Sequence, residues 1–184
     1  MMKLPTLVAL GLVLGSMACS ASTLDGGSTA GGADASADAA LAASDIPARP
    51  LEGSVAGKAF TPKAVDIRNE GGRWFLTLRS YDVSCGVSKA PATGPELMII
   101  TVADFAPAAG TEKIAYGDGH AATFQIGVYE KGKGEPDARP ATAGVLRIDT
   151  WSDVPGASVG GALRLTGEGS EVAGTFTATV CAPR

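Results

Sequence analysis

One histidine, three cysteines and ten aromatic rings are all that 184 residues carry of the side chains most chemistry uses. The lone histidine, His120, sits beside Asp118 in the glycine turn Gly117-Asp118-Gly119. A zinc site ordinarily needs several His or Cys ligands, so one imidazole excludes a zinc centre read from sequence, and His120 reads as a solvated turn residue. Neither a Gly-x-Ser-x-Gly elbow nor a Ser-x-x-Lys near a strand end is expected, so no serine nucleophile pattern is read. Positive charge is scattered with acids between, and the net charge is −4. Nucleic-acid binding needs clustered Lys and Arg, so no nucleic-acid partner is expected. No glycine loop leads through Lys-Ser or Lys-Thr into a helix, which excludes a phosphate cradle of that type. The EF-hand pattern is missing too, which leaves Asp118, Asp149 and Asp153 as loop-end carboxylates able at most to meet around calcium. No cofactor follows from any of this, and no catalytic residue is expected.

What the chain does have begins at its first residues. Lys3 gives a positive start, Leu7 to Leu14 is a short apolar run, and Ser16-Met17-Ala18 supplies small residues before Cys19. A positive start, an apolar run and a small-residue cut site form a secretory signal, and the run is too short for the roughly 20 residues that span a bilayer. The arrangement resembles a bacterial lipoprotein signal, in which the cysteine after the cut receives a diacylglycerol on its sulfur. That resemblance implies a signal peptide over 1–18, lipidation of Cys19 and a membrane partner held through the lipid. Ser20, where such proteins carry Asp for retention at the inner membrane, implies the outer membrane. Plain secretion is the alternative, since Ser16 and Ala18 also suit an ordinary signal peptidase. Acyl chains contribute about 0.8 kcal/mol per buried methylene, so several of them anchor stably where one does not.

Residues 19–50 hold Gly, Ser, Asp and Ala with almost nothing to fill a core. This composition predicts a flexible linker. Residues 51–184 then form one domain of ordinary size.

Within that domain the hydrophobic period is two. Val65 and Ile67 alternate with polar neighbours; Asn69-Glu70-Gly71-Gly72 turns the chain; Trp74, Leu76 and Leu78 then alternate with Arg73, Thr77 and Arg79, which are expected to face water. Leu97 to Val102 is apolar on both sides and predicts a central strand. Phe124, Ile126 and Val128 share a face, as do Leu146 and Ile148, with Arg147 and Asp149 outside. Residues 159–165 and 172–180 predict a hairpin across Gly167-Glu168-Gly169-Ser170. Residues 51–60 read as one strand with glycine irregularities, and 130–141 as a loop rich in Gly and Pro. Short alternating segments without a helical period predict an all-β fold, an antiparallel sandwich or flattened barrel of about eight or nine strands.

With Cys19 lipidated, Cys85 and Cys181 are left to pair in an oxidising compartment. Phe176, Ala178 and Val180 share one face, so Cys181 falls on the other and the disulfide is expected at an end or edge. Trp151, with Asp149 and Asp153 beside it, is a candidate rim platform for a sugar or a peptide aromatic, against the plainer reading of a half-buried ring at the sheet edge. The domain resembles in style the all-β domains of other bacterial lipoproteins. Together these readings imply a non-enzymatic, lipid-anchored envelope protein that binds a partner protein or serves structurally; a carbohydrate or peptidoglycan module is the alternative.

Overall fold

The computed structural model describes residues 41–83, 85, 97–114, 121–127 and 137–183. Ten strands follow a short 3-10 turn at Ala43–Asp45: β1 Glu52–Val55, β2 Lys58–Phe60, β3 Ala64–Glu70, β4 Arg73–Arg79, β5 Leu97–Ala103, β6 Gly110–Ile114, β7 Ala121–Gly127, β8 Asp137–Ile148, β9 Ser158–Gly167 and β10 Ser170–Val180. The all-β expectation holds, but the sandwich does not. Seven strands close on themselves in the order β10, β3, β4, β5, β7, β8, β9 and back to β10, forming a barrel, with β1, β2 and β6 added outside the ring.

Two long strands make this possible. β10 pairs with β9 along one edge for its whole length, from Ser170↔Gly167 to Thr179↔Ser158. Its other edge is divided: residues 171–173 pair with β1, and only Thr179↔Asp66 and Val180↔Ile67 pair with β3. β8 is divided in the same way, giving residues 137–140 to β7 and 144–148 to β6. A bulge between Ala141 and Ala143 redirects it toward β9. The β10–β3 contact is parallel, a departure from the antiparallel arrangement expected. It is also the shortest ladder in the ring.

Inward positions fill the barrel. Leu76, Leu78, Ile100, Phe124, Leu163 and Leu165 are all essentially solvent-free. Full burial of each such side chain contributes about 1.5–3 kcal/mol. Large rings are matched to missing side chains: a Cβ on Gly161 would lie 2.7 Å from the Phe176 ring. Among the described residues the interior is a packed core.

Parity read from the sequence places Leu76, Leu78, Phe124, Ile126, Leu146 and Ile148 inward, and all are buried. Three assignments were reversed. Residues 137–141, expected in a loop, belong to β8. Thr77 and Arg79, expected in water, are buried on the outer face. Residues 51–60 form the hairpin β1–β2 in place of one strand, turning at Ala56 and Gly57 with φ of 48° and 75°. Positive φ at both central residues marks the turn type that matches strand twist, and Ala56 tolerates it because Ser170 Oγ accepts its N–H at 2.9 Å.

The ten residues before Leu51 lie on the barrel wall. Ile46 is buried against Val145 and Ala162, Thr175 N–H donates to the Arg49 carbonyl at 2.7 Å, and Leu51 N–H to the Thr175 carbonyl at 2.9 Å. Gly174 leaves room for this strap, because a Cβ there would meet the Arg49 carbonyl at 2.6 Å. Of the linker expected over 19–50, residues 41–50 are thus part of the folded unit, and 19–40 lie outside the described residues. Among the described residues, no helix is long and apolar enough to cross a membrane.

Candidate functional site

One end of the barrel is closed by aromatic rings. Trp151 follows β8 and meets Trp74 edge-on at 4.9 Å between ring centroids and Phe105 at 6.0 Å. Phe105 is buried, while both tryptophans are half-buried and packed on the core. Such T-shaped pairs contribute about 0.5–1.5 kcal/mol beyond burial. The Trp151 ring is thus packed on the core and half-buried at this end of the barrel. Asp149 Oδ1 accepts Arg147 Nε–H at 2.7 Å, and Asp153 is exposed. The residues proposed as a platform are close in sequence, but Asp149 is turned toward Arg147 on the outer face. Around the same rim Arg73 Nε donates to Asp104 Oδ1 at 2.6 Å, which raises the Arg73 guanidinium above its ordinary pKa, and Arg73 also lies 5.5 Å from the Phe75 ring centre.

Cys85 and Cys181 are bonded, with Cα atoms 5.2 Å apart. Cys181 stands one residue past the end of β10, as parity requires. Its N–H donates to the Ile67 carbonyl at 2.7 Å, so the disulfide is fixed at the β10–β3 seam.

Beside that seam the outer face carries what the sequence did not reveal. Asp66 on β3 and Arg79 on β4 form an ion pair with both side chains more than nine-tenths buried. Arg68 approaches the same carboxylate at 3.8 Å. Tyr81 lies against the pair: its phenol is raised above the ordinary value, first by burial, with Arg79 opposing and Asp66 adding to the rise. Next to it a cleft of about 560 Å³ opens between the start of β3, the end of β10 and the residues Asp82, Val83 and Cys85, with Lys63, Asp66, Thr177 and Thr179 also among its walls. Its size is within the range of small-ligand sites. Nothing in the alternation announced it, since Asp66 occupies an ordinary polar position between Val65 and Ile67.

The spacing Gly-x-Ser-x-Gly does occur, at residues 156–160, contrary to the expectation that no such element would be found. Here the turn leads into strand β9 and not a helix, and Ser158 is exposed with no histidine near it among the described residues. The spacing is present without the elbow. Asp118, His120 and Cys19 lie outside the described residues. Among the described residues no group of three His, Cys, Asp or Glu side chains is placed to hold a metal. No family model, curated protein or solved structure matches this chain.

Proposed function

We propose that this chain is a lipid-anchored protein of the cell envelope, its barrel a non-enzymatic binding or structural domain at the outer membrane. The observation that carries the reading is the Cys85–Cys181 disulfide. It uses two of three cysteines and leaves Cys19, which directly follows a signal-like segment, as the one available for acylation. An unmodified third thiol would be a liability in an oxidising compartment, whereas acylation removes it. The filled barrel is consistent with a domain that presents its outer face to a partner.

Mass spectrometry of the mature chain from a bacterial host tests this. The expected product begins at Cys19 and carries diacylglyceryl mass on it; Cys19→Ser gives material without acyl groups that leaves the membrane fraction. A mature wild-type chain lacking acyl groups overturns the anchor and leaves secretion in its place.

A further inference from the structure

The barrel wall has a gap at Thr177. Thr175 directs both its N–H and its carbonyl toward the strap at residues 49–51. Backbone groups alternate between strand edges with a period of two, so Thr177 points the same way. Its partner on the other side agrees: Gly160, opposite Thr177 in β9, turns its carbonyl away to the Asp149 N–H at 2.9 Å. Yet the strap ends its pairing at Thr175, and the β3 ladder begins only at Thr179↔Asp66. Among the described residues, nothing takes the Thr177 backbone N–H and carbonyl. Beside them lies the cleft of about 560 Å³, with Thr177 and Thr179 among its walls.

We propose that this cleft binds a short peptide in extended form, which completes the wall by pairing with Thr177. Unused strand-edge groups recognise another backbone, and flanking side chains give selectivity. Lys63 offers a cation for the peptide carboxylate, and Asp82 an anion for its ammonium; both are exposed. Asp66 is committed to Arg79 and serves to hold the cleft wall in place. A sugar is the weaker fit, because the cleft walls among the described residues include no aromatic ring to stack on. This deepens the reading of the barrel as a binding domain and is independent of the lipid on Cys19, so its test and the acylation test fail separately.

The test uses the full chain with its disulfide intact, trialanine as probe, its amidated form and a chitin disaccharide as comparisons, and hydrogen exchange read at single amides alongside calorimetric titration. The Thr177 amide is expected to exchange faster than its neighbours in β10 and to slow when trialanine is added. Thr177→Val with Thr179→Val, which keeps β-branched residues on the strand, is expected to weaken trialanine by about two- to tenfold, the range of one hydrogen bond. Lys63→Ala, an exposed change, is expected to remove the preference for trialanine over its amide. A Thr177 amide already protected without peptide, no effect of trialanine, or binding of the disaccharide alone overturns the proposal.

Discussion

Breaking the Cys85–Cys181 bond is expected to weaken this fold at one place more than any other. The two cysteines are 96 residues apart in sequence, and the chain-entropy relation gives about 4.7 kcal/mol for a loop of that size. The bond joins the β10–β3 seam, which has two register pairs, whereas the β9–β10 ladder next to it has ten. Two pairs alone are a poor closure, so the loss falls on the seam before it reaches the rest of the ring. Two comparisons separate chain entropy from packing: the oxidised against the reduced chain, both with Cys19→Ser to prevent thiol exchange, and Cys85→Ala with Cys181→Ala. Urea unfolding is expected to lose roughly 4 kcal/mol, a midpoint shift of about 2 M for a slope near 2 kcal/mol per M. Amide exchange at residues 67 and 181 is expected to rise ahead of exchange in β9. A loss below about 1 kcal/mol, or exchange rising equally in all ladders, refutes the argument that the seam depends on the disulfide.

Asp66→Ala is expected to cost about 3–5 kcal/mol in urea unfolding by leaving the Arg79 guanidinium buried without its partner, while Asp66→Leu with Arg79→Met recovers most of it; equal losses in the two variants would show that the ion pair is not what the site depends on. Gly174→Ala drives a Cβ against Arg49 and Leu51 at a φ of 142°, so the Leu51 and Thr175 amides, which hold the strap to β10, are expected to exchange faster than in the wild type with the barrel otherwise intact. Tyr81 holds its proton more tightly in the folded state than in the unfolded one, so its contribution to stability is complete below about pH 10 and is lost as pH rises through the higher folded value. Unfolding followed from pH 9 to 11 is expected to show that decline, and Tyr81→Phe to remove its share of it; an unchanged profile in Tyr81→Phe would refute the raised phenol.

Side-chain parity carried most of what was legible in the sequence. It assigned Leu76, Leu78, Phe124 and Leu146 to the core, located the β9–β10 hairpin, and put Cys181 on the face where its disulfide is found. Parity says which face a residue takes, however, and not what covers that face. Arg79 and Thr77 do point outward, yet they are buried, Arg79 against Asp66 with Tyr81 beside it. The candidate cleft was hidden for the same reason: it is assembled from β3, β10 and the residues Asp82, Val83 and Cys85, whose proximity depends on how the ring closes. The β1–β2 turn was missed because Ala56-Gly57 has no Asn or Asp to announce it; Ser170, across the β9–β10 turn, accepts the Ala56 N–H that makes the conformation tolerable.

A sandwich and a small barrel bury the same alternate residues, so alternation alone does not choose between them. The choice rests on whether two strands far apart in sequence can meet edge to edge. Here β8 and β10 span 12 and 11 residues, longer than any one of their neighbours on the divided edges. A strand that outruns its partner exposes unpaired backbone unless a second strand takes up the remainder, and both do so: β8 divides between β7 and β6, β10 between β1 and β3. Division turns what would be a sheet edge into closure, and it also creates the weak point. Where one partner leaves β10 and the next has not begun, one residue is left over, and it is Thr177, in the wall of the cleft.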